Sequence, residues 1–279
     1  MTEQTDITTL LERYEAILLD AYGVLVTGAG ALPGAAALIE RLERDRRPWH
    51  VVTNAASSLP EQLAERFRQM GVPIPPHRVI TSGSMIEHHF GASDLAGRRC
   101  AVLGPVASHE YVRRAGGDVV GVDEPFDVLC VCDEEGIDFL DMANRALTGV
   151  CQGLDAGRDV QLVLTNPDII YPSGPGRFAF TAGALALLIE EALALRYPEP
   201  PRFTALGKPE PVIFREALRR TGAEAGNAVM IGDQRHTDIL GAHRAGIASA
   251  LVASGVAGDR THDDLPAPTW LLSGLGEGD

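Results

Sequence analysis

Asp20 closes a short apolar run that begins at Ala16, and Ala21-Tyr22-Gly23-Val24 follows it. Thr53-Asn54 closes a second such run, Gly232-Asp233 closes another, and Asp238 stands six residues beyond Gly232. Between them in sequence, Gly207-Lys208-Pro209 opens a predicted helix. Taken singly, an aspartate at a strand end is a turn residue or a helix cap. Together, these residues fall at the carboxyl ends of strands, the edge where open α/β sheets bind ligands. Two unit negative charges about 4 Å apart repel by roughly 4 kcal/mol at an effective dielectric of about 20. Asp20, Asp233 and Asp238 can therefore share that edge only if cations offset them. Hard oxygen donors of this kind suit Mg2+, which keeps several waters and uses one or two carboxylates plus a substrate phosphate.

Lysine usage sharpens the reading. The chain has 24 Lys and Arg residues, and Lys208 is the one lysine. Arginine carries a broad planar fork and cannot stand in for a compact ammonium. A solitary lysine beside the acidic motifs is the point charge that such a pocket needs.

The elements that must position these residues alternate between strand and helix, which implies α/β architecture with a mainly parallel, Rossmann-like sheet. Predicted strands run over 16–20, 49–53, 79–81, 203–206, 228–231, 248–252 and 270–272, with helices from Pro33, Pro60, Pro211 and Thr237. A second βα series starts near Ser84, with strands at 99–103, 127–131 and 160–165 and a helix from Phe178 to about Arg196. The proline-rich stretch 197–201 cannot continue that helix and is expected to be a linker. The pattern predicts an outer core formed by 1–83 and 203–279, with an inserted α/β domain at 84–202.

Composition excludes several classes of function. A formal charge of −14 argues against nucleic acid, whose phosphates are bound by clustered Lys and Arg, and against an anionic membrane surface. The opening residues are polar and acidic, and no long apolar span occurs, so a cytoplasmic protein is expected. Cys130 and Cys132 sit one residue apart in an apolar run, a spacing that fits buried packing rather than a zinc site. Adjacent His88 and His89 would point about 100° apart on a helix and make a poor metal pair. His236 is read as a surface residue at a helix start, and Glu134-Glu135 as a turn.

Asp20-Ala21-Tyr22-Gly23-Val24, Thr53-Asn54, Gly207-Lys208-Pro209 and the segment from Gly232 to Asp238 resemble the four signature motifs of the haloacid dehalogenase superfamily. The middle insertion resembles the large α/β cap of its 4-nitrophenyl-phosphatase-like, NagD-type branch. Local stretches agree, among them Leu32-Pro33-Gly34-Ala35 and Thr165-Asn166-Pro167-Asp168. The resemblance implies a phosphatase in which Asp20 attacks phosphorus to form an aspartyl-phosphate. It implies that Asp20, the backbone carbonyl of Tyr22 and Asp233 hold Mg2+, with Asp238 in support. Thr53 and the backbone of Asn54 would bind the phosphoryl oxygens, with Lys208 neutralising charge. The implied substrate is a small phosphorylated metabolite, its leaving group met by a cap loop at 168–178 that carries Tyr171, Ser173 and Arg177. Caps of this branch often mediate dimers, so a homodimer through the cap is a further expectation.

Tyr22 departs from the phosphatase pattern, which places a second aspartate there to protonate the leaving group and then activate water. A phenol, with an ordinary pKa near 10, is a poor base at pH 7. Two other readings follow from this position. A metal-independent 2-haloacid dehalogenase carries the Asp-Ala-Tyr-Gly form, although the acids at 233 and 238 are of the metal-binding type. A phosphate-ligand-binding or regulatory protein with impaired catalysis is the other. Loss of a positioned acid/base costs about 10²- to 10⁴-fold. Tyr22→Asp is therefore expected to raise the rate of phosphate-ester hydrolysis, and an unchanged rate would contradict the assignment of Tyr22 as rate-limiting.

Overall fold

A computed structural model describes residues 2–174, 176–252 and 264–276. The chain divides into two compact units, one formed by Met1–Thr53, Pro60–Ile80 and Lys208–Asp279, the other by Asn54–Leu59 and Thr81–Gly207.

The first unit contains a seven-stranded sheet among the described residues. Its strand order is Glu3–Thr5, Trp270–Leu272, Ala248–Val252, Ala228–Gly232, Ala16–Leu19, Trp49–Thr53 and Val79–Thr81. The strands from Glu3–Thr5 across to Trp49–Thr53 pair in parallel. Ala16–Leu19, Trp49–Thr53 and Ala228–Gly232 are buried at every position. Strands covered on both faces read as continuous apolar runs rather than alternating ones, which is why these three are plain in the sequence. Helix Ala35–Arg44 buries Ala35, Leu38, Ile39 and Leu42, a single apolar stripe at helical spacing. Register decides where the chemistry falls. Leu19 lies opposite Ile231 on one side and Val51 on the other. Three neighbouring strands thus release the chain at one edge, bearing Asp20, Asp233 and Thr53.

The second unit is built on a five-stranded parallel sheet in the order Phe203–Ala205, Gln161–Leu164, Val128–Val131, Arg99–Leu103 and Asp118–Val120. Helices Phe139–Asp155 and Ala182–Arg196 contribute Ala143, Val150, Leu185 and Ile189 to its core. A two-stranded antiparallel hairpin, Ile170–Gly174 with Arg177–Phe180, precedes the second of these helices.

Several boundaries differ from expectation, each for a local reason. The helix predicted from Phe178 starts at Ala182, because Phe178 pairs with Pro172 in the hairpin and the Thr181 hydroxyl caps the helix by accepting from the Ala182 amide. The strand near Phe203 pairs with Gln161–Leu164, so residues 203–207 go with the second unit and not, as expected, with the outer core. Asn54–Leu59 also belongs to the second unit, although the expected core ran unbroken to 83. The polar start of the chain forms strand Glu3–Thr5 and helix Ile7–Arg13, capped by Asp6 through a 2.8 Å bond from the Thr9 amide. The helix expected from Thr237 begins as a π-turn, Arg235–Ile239, before Leu240–Arg244. No helix among the described residues is long and apolar enough to cross a membrane.

His50, in the strand Trp49–Thr53, is 5% exposed, and its Nδ1 lies 3.2 Å from the Arg78 carbonyl. Burial lowers its pKa from 6.5 to about 4. Between those values the unfolded chain takes up a proton that the folded chain refuses, so stability falls as pH drops from 6.5 towards 4, by at most about 1.4 kcal/mol per pH unit. Melting curves of wild type and His50→Gln, which cannot titrate there, should converge as pH falls through this window. A difference that is constant with pH would contradict the assignment.

Candidate active site

Asp20 follows its strand directly, and its amide donates to the Ile231 carbonyl at 2.9 Å, which extends the ladder by one residue and fixes the departing chain. The next turn closes on itself, with the Leu25 and Val26 amides both donating to the Ala21 carbonyl. Gly23 is required within it. Its φ is +89°, and a Cβ there would lie 2.1 Å from Asp233 Oδ2. The close approach of the two loops thus depends on a missing side chain. Gly232 has the same role opposite, where a Cβ would meet the Asp238 Cβ at 2.2 Å.

Lys208 stands at the centre. Its Nζ donates to Asp20 Oδ1 at 2.7 Å and to Asp238 Oδ1 at 2.6 Å. The second Asp238 oxygen accepts from the Asp233 and Gln234 amides at 3.2 and 3.1 Å, so this one carboxylate organises both the lysine and the turn after Gly232. Lys208, Asp20, Asp233 and Asp238 are all buried. Burial works against the Lys208 charge, but Asp20 and Asp238 outweigh it and hold its pKa above the ordinary lysine value. Asp20 is pushed up, first by burial and then by Asp238 and Asp233, against the pull of Lys208.

Ligand oxygens of Asp20, Asp233 and Asp238 lie within 4.8 Å of one another. Three carboxylates and one ammonium leave a negative excess in a buried place. A hard, oxygen-only donor set with uncompensated charge fits a divalent cation of the Mg2+ type.

The other residues singled out in the sequence fall elsewhere. Thr53 is buried at the end of the strand beside Asp20. Tyr22 is 37% exposed, and its ring packs edge-on against Phe67 at 6.3 Å between centroids. Asn54, Tyr171 and Arg177 belong to the second unit. Tyr171 and Arg177 lie on the antiparallel hairpin, both exposed. His236 and His88 are exposed, and Cys130 and Cys132 are buried, as expected.

Sequence reasoning missed how the loop after Thr53 is held. The Ser82 hydroxyl donates to the Asn54 carbonyl at 2.8 Å, Ser108 to Ala56 at 2.9 Å and Tyr111 to Ser58 at 2.8 Å. Alternate peptide carbonyls of the loop are thus bonded by side chains of the second unit. Tyr111 is 53 residues from its acceptor, and no local pattern signals a contact of that kind.

A family model described as haloacid dehalogenase-like hydrolase matches residues 17–118, and a second, HAD-hydrolase-like model matches residues 205–278. The chain belongs to the haloacid dehalogenase-like hydrolases. Within that family it falls in the NagD and 4-nitrophenylphosphatase branch and is a phosphatase-type enzyme. It is 28% identical over 261 residues to a dihydroxyacetone phosphatase of Corynebacterium glutamicum, covering 93% of this chain and 89% of that protein. Among solved structures, a possible sugar phosphatase from Cytophaga hutchinsonii superposes with a TM-score of 0.81 at 28% identity, covering 99% of each chain. NagD from E. coli K-12 superposes with a TM-score of 0.78 at 29% identity, covering 95% of this chain and 98% of that one.

The Lys208 bonds to Asp20 and Asp238 make a direct prediction. Removing one partner of a buried ion pair costs about 3–5 kcal/mol, because the charges left behind remain buried. Lys208→Met should lower the melting temperature markedly in metal-free buffer. A melting temperature within a degree of wild type would show that the ammonium does not offset these carboxylates.

Proposed function

We propose that this enzyme hydrolyses small phosphorylated metabolites, of the sugar-phosphate kind, through a covalent phosphoryl group on Asp20. The observation that supports this most is the buried set of Asp20, Asp233, Asp238 and Lys208, assembled from three separate strand ends and loops. The names of the relatives support the substrate class, since they include a dihydroxyacetone phosphatase and a possible sugar phosphatase.

In this reading the first unit is the catalytic core and the second is the cap. Asp20, Asp233 and the Tyr22 carbonyl would hold Mg2+ with support from Asp238, and the bound ion supplies neutralisation of charge on the transferring phosphoryl group. An Asp20 oxygen forms a bond to phosphorus as the bond from phosphorus to the ester oxygen breaks. Splitting one difficult displacement into two easier ones is the gain from a covalent intermediate. Water then attacks phosphorus, the bond to Asp20 breaks, and inorganic phosphate leaves. Lys208 favours the ionised form of the Asp20 carboxylate and fixes its orientation through its 2.7 Å bond. Thr53 and the Asn54 backbone take the phosphoryl oxygens.

Tyr22 sets the character of the reaction. With no carboxyl at that position, the departing oxygen draws its proton from solvent, so turnover of an alkyl ester such as a sugar phosphate is slow and that of an aryl ester is less affected. Tyr171 and Arg177, exposed on the hairpin of the cap, are assigned to the leaving group. An arginine there would pair with a second anionic group on the substrate.

Hydrolysis of 4-nitrophenyl phosphate, whose leaving group is undemanding, is the test. Activity should require Mg2+, disappear in EDTA, and fall by at least about 10³-fold in Asp20→Asn, as expected for loss of a nucleophile. Activity that survives in Asp20→Asn, or halide release from 2-haloacids in EDTA, would overturn the reading.

A further inference from the structure

Asn54 follows Thr53 directly, and its side chain is engaged in a way the reaction scheme leaves unused. Its Nδ2 donates to Asp168 Oδ1 at 3.0 Å, across 114 residues of sequence. On the opposite side of the amide, a Cβ on Gly207 would lie 2.6 Å from Asn54 Oδ1, so only a glycine lets the chain pass this close. Gly207 is itself the residue before Lys208. The segments that carry Asn54 and Gly207 therefore meet at the Asn54 side chain.

Asp168 is in turn firmly held. Its amide donates to Asn166 Oδ1 at 3.1 Å, and its carbonyl accepts from the Gly183 amide at 3.0 Å. Asn166 Nδ2 reaches the Thr181 hydroxyl at 3.1 Å, the same hydroxyl that caps helix Ala182–Arg196. A Cβ at Gly183 would strike the Pro167 carbonyl at 2.3 Å, so the helix start and this loop are packed backbone to backbone. Asp168 is thus mounted on the end of a fifteen-residue helix rather than on a free loop.

The geometry points to Asp168 as a positioning residue for the reaction: its carboxylate holds the Asn54 amide, and through it the Thr53-Asn54 peptide that binds the phosphoryl group. This rests on the assignment of Thr53 and Asn54 to phosphoryl binding. The carbonyl of Asn54 is fixed separately by Ser82. Side chain and carbonyl together define the residue's orientation, and a displacement near 1 Å at such a site costs about 10²-fold in rate. The position needs a short acceptor aimed at Asn54 Nδ2, a demand of geometry more than of charge.

The test uses the full-length enzyme with Mg2+ and 4-nitrophenyl phosphate, together with the affinity of inorganic phosphate as product inhibitor. Asp168→Ala should lower kcat/KM by about 10- to 100-fold and weaken phosphate inhibition. Asp168→Asn keeps an acceptor oxygen in place and should recover most of that loss. Asp168→Glu keeps the charge but moves the oxygen by one methylene, and should not. In an Asn54→Ala background, Asp168→Ala should add little, since both remove one bond. Should Asp168→Ala fail to fold, the Asn and Glu variants still decide the matter, because an electrostatic role reverses their order and a merely structural role leaves phosphate inhibition unchanged in both. Additive losses, or a glutamate variant more active than the asparagine variant, would overturn the proposal. If Asn54→Ala and Thr53→Ala leave phosphate inhibition unchanged, the phosphoryl-binding assignment fails and this inference fails with it. A loss in Asn54→Ala but none in Asp168→Ala would sink the inference alone.

Discussion

One ammonium between two carboxylates organises this molecule's chemistry. Lys208 bonds Asp20 and Asp238 from a position that water hardly reaches. An ion pair in such a place costs several kcal/mol of desolvation per ion and persists only when its hydrogen-bonding geometry is good. Asp238 meets that condition by using both oxygens, one for the lysine and one for the two amides that follow Gly232. The turn, the lysine and Asp20 therefore form one hydrogen-bonded unit. Glycines at 23 and 232 let the backbones approach closely enough to make it. Even so, the negative charges exceed the positive ones, and that imbalance is the physical basis for a cation.

The parallel sheet explains how residues so far apart in sequence come together. Lys208 is 188 positions from Asp20, yet its ammonium reaches the edge where neighbouring strands of the first sheet release Asp20 and Asp233. A parallel topology makes this possible because each strand returns through a crossover and ends where its neighbour ends. The same economy appears in the second unit, where the carboxyl end of Gln161–Leu164 leads to Asp168 and the loop at 54–59 is bonded by Ser82, Ser108 and Tyr111. The loop after Thr53 thus belongs with the second unit, whose side chains hold its carbonyls.

Much of this was legible in the sequence, and the limits were physical. The buried strands at 16–19, 49–53 and 228–232 declared themselves as apolar runs, and the acids at their ends could be read as one site once charge balance was considered. The lone lysine was informative because arginine fills the other basic positions. What stayed hidden depended on partners distant in the chain. Glu3–Thr5 is a strand because Trp270–Leu272 lies beside it, not because its residues favour one. Phe178–Phe180 reads as the start of a helix until its pairing with 170–172 is seen. Phe203–Ala205 carries nothing that says which sheet it joins. The Asn54–Asp168 bond had a visible trace in the stretch 165–168, but nothing in those residues said what the aspartate holds.

The charge argument can be tested without any substrate, by titrating Mn2+ into the metal-free enzyme and following the free ion by electron paramagnetic resonance. Wild type should bind one equivalent, and Asp233→Asn, which keeps the shape of the donor set but removes one charge, should bind at least about tenfold more weakly. Equal affinity in the two proteins, or no binding in wild type, would mean that Lys208 alone balances the buried aspartates and that no metal belongs there.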